Sequence, residues 1–245
     1  MEKAKTVTWR LLAASVSLLT LSQLAHADSL DEQRSRYAQI KQAWDSRQMD
    51  VVNQLMPTLT TYPLYPYLQY RQITDDLMNQ PALVVTNFIA ANPTLPPARS
   101  LKSRFVNELA RRSDWRGLLA FSPDKPTGTE AQCNYYYAKW NVGQAQEAWD
   151  GAKALWLSGK SQPNACDQLF GAWRASGQQD PLAYLERIRL AMKAGNTSLV
   201  RVLAQQMPAD YQTISTAVIA LANDPNSVMT FARTTGATDF TRQMA

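Results

Sequence analysis

The chain has 245 residues, with 25 basic and 20 acidic side chains, one histidine and two cysteines. Its formal net charge of +5 is mild and spread along the chain, which argues against a nucleic-acid-binding protein. Beyond the first 27 residues no segment is apolar over the roughly 20 residues that a membrane-spanning helix needs.

Residues 1–27 have the three parts of a secretory signal peptide. Three basic residues stand in the first ten positions, the apolar run LLAASVSLLTL follows, and Ala-His-Ala precedes Asp28. A membrane anchor is the alternative, but the apolar run is about half the length that spanning requires. We therefore expect export and cleavage between Ala27 and Asp28, which leaves a mature chain of residues 28–245.

Cleavage limits the chemistry of the mature chain. His26 is the only histidine, and it leaves with the signal peptide together with three of the basic residues. Catalytic triads based on histidine and histidine-rich metal sites then lack the base and the ligand that they require. The sequence predicts neither a metal site nor a cofactor.

Cys133 and Cys166 are the two cysteines, and an exported protein meets an oxidising environment. A bond between them would close a loop of about 33 residues and stabilise the fold by roughly 3–4 kcal/mol on the loop-entropy model. Two buried free thiols are the alternative. We expect the disulfide.

The mature chain begins with helix-period segments separated by turn residues. Ser29 and Glu32 have the spacing of a capping box at the start of the first helix, whose apolar residues repeat on one face. Pro81 is predicted to open a short helix that Asn92-Pro93 ends. The successive helices of this half are predicted in SLDEQRSRYAQIKQAW, MDVVNQLM, YPLYPYLQYRQITDDLM, ALVVTNFIAAN, LPPARSLKSRFVNELARR and WRGLLAFSP.

The same pattern continues to the end of the chain, with no alternating strand pattern. The predicted helices are EAQCNYYYAKW, AQEAWDGAKALWL, PNACDQLFGAWRASG, DPLAYLERIRLAMKAG, NTSLVRVLAQQMP, DYQTISTAVIALAND and PNSVMTFARTTG. Gly143 and Gly177 are 34 residues apart, and Trp140 and Trp173 are 33 apart, close to one helix–turn–helix repeat. Because Gly195 follows only 18 residues later, we expect helical hairpins and not a regular repeat array.

The segment NYYYAKWNVGQAQEAWDGAKALW is rich in aromatic residues and is compatible with a sugar-binding platform or with a helix–helix core. Tyr136 and Trp140 share a helix face with Cys133, and Trp149 and Trp156 share one with small alanines. A helical stripe of this kind is usually interior. We favour the core interpretation.

Two short patterns suggest enzymatic chemistry, and neither is convincing. Gly159-Lys160-Ser161 resembles the end of a phosphate-binding loop, but no strand precedes it, so a helix capped at its end by Gly159 is the better interpretation. Glycan-cleaving sites use carboxylates, yet the mature acids have the positions of helix starts or solvated faces near arginines. These acids are Asp75, Asp76, Glu32, Glu108, Glu130, Glu147 and Glu186.

Several segments carry a specific resemblance, among them DSLDEQRSRYAQIKQAWDSRQMDVV, YPLYPYLQYRQITDDLMNQPA, ANPTLPPARSLKSRFVNELARR, AQCNYYYAKW and DPLAYLERIRLAMKAGNT. The chain resembles, over essentially its whole length, the N-terminal part of the large soluble lytic murein transglycosylases of Gram-negative bacteria. The resemblance implies a periplasmic protein whose α-helices form a U-shaped right-handed superhelix. It also implies that a linker domain closes this superhelix into a ring carrying a lysozyme-like catalytic domain.

Members of the family cleave the MurNAc–GlcNAc bond of peptidoglycan without water and leave a 1,6-anhydro sugar. Their catalytic glutamate is followed by serine, and GLMQ and AYNAG motifs accompany it; this sequence contains none of these patterns. We therefore expect residues 28–245 to be a truncated scaffold segment, with no catalytic residue of its own. It would act on glycan strands together with its linker and catalytic domains.

The competing hypothesis is a free-standing periplasmic α-solenoid that binds a protein partner in its concave face. The final residues, ATDFTRQMA, read as a helix begun near Thr238-Asp239, which we expect to continue in a longer protein.

Overall fold

The computed structural model describes residues 29–236 and Thr241. The predicted signal peptide, its cleavage site between Ala27 and Asp28, and the start of a helix near Thr238-Asp239 lie outside the described residues. Within the described part of the chain every regular element is a helix, and no strand is formed. The prediction of an all-α fold is confirmed.

The chain divides into two compact units, residues 1–65 and residues 66–245. In the described part of the first unit, two helices and a short 3-10 helix pack together, with Ile40 and Val52 in their interior. The helices are α1 (Leu30–Asp45) and α2 (Met49–Leu55), followed by the 3-10 helix Met56–Leu59. The next helix, α3 (Tyr65–Asp75), begins where the division falls.

The second unit contains the remaining helices, which are short and joined by tight turns. They are α4 (Ala82–Ala91), α5 (Pro96–Arg111), α6 (Trp115–Phe121), α7 (Thr129–Asn141), α8 (Ala145–Trp156), α9 (Ala165–Ala175), α10 (Pro181–Lys193), α11 (Thr197–Gln205), α12 (Gln212–Asn223) and α13 (Val228–Thr235). Most of these bounds fall within a few residues of the predicted helices, because proline, glycine and asparagine end the helices where the sequence places them.

The predicted capping box at the start of α1 is present. Glu32 donates its backbone N–H to the Ser29 hydroxyl at 3.2 Å, and Ser29 donates its own backbone N–H to the Glu32 carboxylate at 2.8 Å. The two bonds satisfy N–H groups that the first helical turn leaves free. The face of α1 is buried less evenly than predicted, because Ile40 and Trp44 are buried while Leu30 is 49% exposed.

One turn joins four of the helical hairpins. Its central residue has a left-handed backbone, with φ of 59° at Arg47, 57° at Ser113, 87° at Gly143 and 67° at Gly195. In each case the following residue donates its N–H to the carbonyl five residues back, at 2.8–2.9 Å. This Schellman-type bond ends one helix, and the next helix begins two residues after the left-handed residue.

The helices form hairpins and not a regular repeat array, as the unequal glycine spacings predict. Gly177 also has a positive φ, 72°, but α10 begins only at Pro181, so the connection is longer than the one at Gly143. Gly143 and Gly195, 52 residues apart, occupy equivalent positions instead. The 34-residue spacing therefore does not mark a structural repeat, because the hairpins differ in helix and connection length.

Hairpins stack within the second unit. Helix α5 contacts both α6 and α7, and α7 contacts both α8 and α9, so alternate helices pack as well as consecutive ones. This pattern is typical of stacked αα-hairpins. Buried side chains form one hydrophobic cluster around Phe105 and Leu118 and another around Leu169 and Ile188.

The disulfide joins two of these alternate helices. Cys133 on α7 and Cys166 on α9 are bonded, with their Cα atoms 4.9 Å apart, and both are fully buried. The bond therefore ties α7 directly to α9, the helices that precede and follow α8 in the chain. In the part of the chain that the structure describes, none of the helices combines the length and apolar character that crossing a membrane demands.

Candidate functional site: an aromatic row beside a polar groove

The aromatic segment of α7 and α8 is only partly a core, which corrects the prediction. Trp156 is buried, and Tyr136 and Trp149 are half-buried. Trp140, predicted to lie on the buried face with Cys133, is 37% exposed. It is the second-last residue of α7, next to the turn at Gly143 that leads into α8.

Trp140 belongs to a line of partly exposed rings, which we call the aromatic row: Trp115, Tyr137, Trp140 and Trp149. The ring of Trp115 meets that of Tyr137 edge-on, with centroids 5.2 Å apart. Tyr137 and Trp140 follow at 5.4 Å, and Trp140 and Trp149 at 6.2 Å, both pairs tilted by 37°. Three helices, α6, α7 and α8, supply the rings, so the row is held by their packing.

Trp115, the first residue of the aromatic row, also lines a polar groove of about 480 Å³. Its walls come from α5, α6, α7 and the start of α9. Four amide side chains, two arginines and two carboxylates line it: Asn107, Asn134, Asn164, Gln168, Arg104, Arg111, Glu108 and Glu130. Asn134 donates to the Asn107 side-chain oxygen at 3.0 Å, which fixes the two amides relative to each other.

Glu108 is the most strongly paired carboxylate of the groove. Arg111 donates to it at 2.8 Å and Arg112 at 3.3 Å, and its side chain is only 13% exposed. The hydrogen bond from Arg111 lowers the pKa of Glu108 below its ordinary value, although burial acts in the opposite direction. Glu108 is thus ionised at neutral pH and does not serve as a proton donor.

The remaining acids that the sequence singled out are dispersed and mostly paired. Glu147 forms an ion pair with Lys139 at 3.1 Å, and Glu186 pairs with Arg189, whose hydrogen bond lowers the pKa of that carboxyl. Asp75 lies 3.8 Å from Arg71. The solvated-face interpretation needs one correction, at Glu108, because its side chain is largely covered.

The phosphate-loop pattern also fails in three dimensions. Gly159-Lys160-Ser161 lies in an irregular segment after α8. The C-terminal cap of α8 is Leu157, so the prediction of Gly159 as the cap is wrong. Gly159 is required for another reason: a side chain there would collide with the backbone carbonyl of Leu190 on α10. Among the described residues no three His, Cys, Asp or Glu side chains form a group that could hold a metal ion.

The row and the groove together suit a ligand with apolar faces and many hydroxyl groups. Aromatic rings cover the C–H faces of sugars, while amide, guanidinium and carboxylate groups donate to and accept from hydroxyls. Helical periodicity in the sequence singles out Trp140 and Trp149 but not Trp115. The sequence signal for the aromatic row is weak. It consists of the three-residue spacing of Tyr137 and Trp140 and of the positions of Trp140 and Trp149 on either side of the Gly143 turn.

Comparison with known proteins supports the resemblance stated above. The chain is 82% identical over all 245 residues to the soluble lytic murein transglycosylase of Escherichia coli and 78% identical to that of Salmonella typhimurium. The resemblance to the soluble lytic murein transglycosylases is confirmed. The chain spans 38% of the length of these curated relatives, and their N-terminal region is the part that matches. No family model matches the chain.

Solved structures of transglycosylases share the fold. The crystal structure of the 70-kDa soluble lytic transglycosylase of Escherichia coli matches 89% of this chain with a TM-score of 0.85 at 83% identity. A complex of the 70-kDa enzyme with bulgecin A matches equally well, with a TM-score of 0.84. An inactive variant of the Pseudomonas aeruginosa lytic transglycosylase matches 85% of the chain with a TM-score of 0.75 at 32% identity. Each match covers about a third of the solved chain.

Proposed function

We propose that this chain is a scaffold segment of a periplasmic peptidoglycan lytic transglycosylase and that its aromatic row and polar groove contact glycan strands. The proposal places residues 28–245 in a U-shaped right-handed superhelix, behind a signal peptide cleaved after Ala27. The linker and catalytic domains of the same protein are its partners. Similarity over the whole chain to soluble lytic murein transglycosylases favours this role over a free-standing module that binds a protein.

The reaction itself is assigned to the part of the relatives that this chain does not span. There a single carboxylic acid would protonate the glycosidic oxygen between MurNAc and GlcNAc. The 6-hydroxyl of the MurNAc would then close the 1,6-anhydro ring. We assign no catalytic residue within residues 28–245, and the paired, ionised state of Glu108 agrees with this assignment.

The position of Trp115 carries the proposal for glycan contact. Trp115 lines the groove and also belongs to the aromatic row, so one extended ligand could contact both. A glycan strand is long enough to contact both features. Its hydroxyl groups can bond the polar side chains of the groove, and its C–H faces can pack on the rings of the aromatic row.

Sedimentation with purified murein sacculi tests the proposal. The double variant Trp115→Ala with Trp140→Ala should lose about tenfold in affinity, because two ring faces worth roughly 0.5–1.5 kcal/mol each are removed. Tyr67→Ala is the matched control, since Tyr67 on α3 is 38% exposed, as Trp140 is, but lies outside the row. Equal sedimentation of the double variant and the native chain would refute glycan contact at the row.

The assignment of the reaction has its own test. The native chain incubated with sacculi should release no 1,6-anhydro-muropeptides, while a complete soluble lytic transglycosylase should release them in the same assay. Release by the chain alone would show that a catalytic acid lies within it.

A further inference from the structure

A second pocket in the same unit belongs neither to the aromatic row nor to the polar groove. It has a volume of about 400 Å³ and lies among α8, α9, α10 and α11. We call it the Arg187 pocket. Its lining combines aromatic, aliphatic, amide and charged side chains: Trp156, Phe170, Leu199, Val202, Leu203, Ser161, Gln162, Gln206, Asp167, Arg174 and Arg187, with Gly171.

Arg187 is a buried cation that forms neither a hydrogen bond nor an ion pair with the residues that the structure describes. Its side chain is 4% exposed, and its guanidinium carbon lies 4.3 Å from the ring centroid of Trp156 and 5.6 Å from that of Phe170. Its Nε is shielded from solvent and forms no hydrogen bond. Within residues 29–236, Arg187 makes neither a hydrogen bond nor an ion pair, so stacking on the two rings is its main contact.

Burying the Arg187 guanidinium costs free energy unless an acceptor or an anion pairs with it. A buried charge normally has an ionic or hydrogen-bonded partner, and an unsatisfied guanidinium N–H loses its hydration without compensation. Burial lowers the pKa of Arg187 to about 10. The group still carries its charge at neutral pH, and its N–H donors have no acceptor within residues 29–236.

Arg187, Arg174 and Asp167 are the charged residues of the pocket, and together they give it a net charge of +1. Arg174 is exposed and donates to Gln206 at 3.3 Å, and Asp167, also exposed, is the single carboxylate of the lining. Asp167 does not approach Arg187 within ion-pairing distance. One additional negative charge would neutralise the pocket, whereas a doubly charged phosphate would exceed that balance.

We propose that the Arg187 pocket binds the carboxylate of a small ligand, such as the free C-terminus of a short peptide. The planar guanidinium offers parallel N–H donors that match the two oxygens of a carboxylate. The amides of Gln162 and Gln206 can bond a peptide backbone, and Leu199 and Leu203 can pack against small apolar side chains. This inference does not depend on glycan contact at the aromatic row.

Calorimetric titration of the full chain with N-acetyl-alanyl-alanine, and with the same peptide amidated at its C-terminus, tests the proposal. The acid should bind at least tenfold more tightly than the amide, because only the acid forms a charge-assisted pair. Equal affinities, or no binding of the acid at millimolar concentration, would overturn the proposal.

Two variants assign the binding to this pocket. Arg187→Met keeps the apolar stem and should weaken the acid at least tenfold, with a thermal unfolding midpoint no lower than that of the native chain. Asp167→Asn removes the nearby negative charge and should tighten the acid about threefold. If Asp167 were instead the hidden partner of Arg187, Asp167→Asn would lower the unfolding midpoint and would not tighten the acid. That result, or an Arg187→Met variant that binds the acid normally, would contradict the proposal.

The carboxylate could belong to a free peptide or to a peptide carried on a glycan strand. Soluble peptidoglycan fragments with and without their peptides distinguish the two sources. If Arg187→Met weakens N-acetyl-alanyl-alanine and also the fragments that carry peptides, but not the fragments without them, a peptide attached to glycan is a ligand of the pocket. If it weakens N-acetyl-alanyl-alanine but none of the fragments, the ligand is a free peptide. Either result supports the pocket, whereas an unchanged affinity of Arg187→Met for N-acetyl-alanyl-alanine would overturn it.

Discussion

The ring of Tyr136 on α7 lies directly over Gly151 on α8, so closely that a methyl group on Gly151 would overlap its carbon atoms. The predicted close approach of these helices depends on this glycine, in addition to the alanines that the sequence suggested. Gly151 is buried, and the ring of Tyr136 also meets that of Tyr135 edge-on at 5.2 Å. The packing of α7 on α8 therefore leaves no room for adjustment at this point.

Gly151→Ala should destabilise the protein by about 1–3 kcal/mol, since the ring or the helix must shift to admit the methyl group. Gly171→Ala on α9 is the matched control, because its added methyl group meets open space. The control should stabilise by about 0.5–1 kcal/mol through helix propensity. Denaturant unfolding measures both changes, and similar effects of the two substitutions would show that the overlap is not decisive.

The shared hairpin turn leads to a prediction at Ser113, which holds φ of 57° where glycine occupies two of the three equivalent turns. Ser113→Gly should stabilise by about 0.5–1 kcal/mol, because relief of the left-handed strain exceeds the extra entropy of the unfolded chain. Ser100→Gly, within α5, should destabilise by about 0.5 kcal/mol. Thermal unfolding of the two variants should shift in opposite directions; a lower midpoint for Ser113→Gly would contradict the explanation.

The Cys133–Cys166 bond should contribute about 3–4 kcal/mol through the 33-residue separation that it closes. Denaturant unfolding of the native chain with and without dithiothreitol measures this contribution directly. The double variant Cys133→Ala with Cys166→Ala serves as control and should be insensitive to the reductant. If the unfolding midpoint of the native chain is the same with and without dithiothreitol, the bond adds nothing to stability.

The ionisation of Glu108 should make the free energy of unfolding depend on pH in the acid range. Its hydrogen bond from Arg111 lowers the folded-state pKa below the ordinary value of 4.5, which the unfolded chain retains. A lowered carboxyl pKa contributes stability that is complete above pH 4.5 and is lost as pH falls through the folded value. Near pH 7, the free energy of unfolding of Glu108→Gln should thus be about 0.5 kcal/mol lower than that of the native chain.

The difference between native and Glu108→Gln should shrink as the pH is lowered from about 4.5. Glu130→Gln provides the comparison, because Glu130 lines the same groove and forms no ion pair within the described residues. Thermal unfolding from pH 3 to pH 7 measures the profile. A difference for Glu108→Gln that stays constant over this range would show that the ion pair with Arg111 is not the cause.

The sequence by itself determined the local structure of this protein. The capping box of Ser29 and Glu32, the helix ends at Pro81 and Asn92, and the turn at Gly143 follow from the chemistry of a few adjacent residues. The pairing of Cys133 with Cys166 was predictable because the mature chain offers no other choice. The family resemblance was also readable in the sequence, since whole segments carry it.

The tertiary structure decided which faces are covered and which groups meet. Helical periodicity places Trp140 on the face of Cys133 but does not tell that its ring stays 37% exposed beside Trp149 of α8. The closeness of Gly159 to Leu190, of Tyr136 to Gly151 and of Arg187 to two rings joins residues from different helices. Such contacts depend on how separate helices pack, and helix packing is a non-local property that no short stretch of sequence encodes.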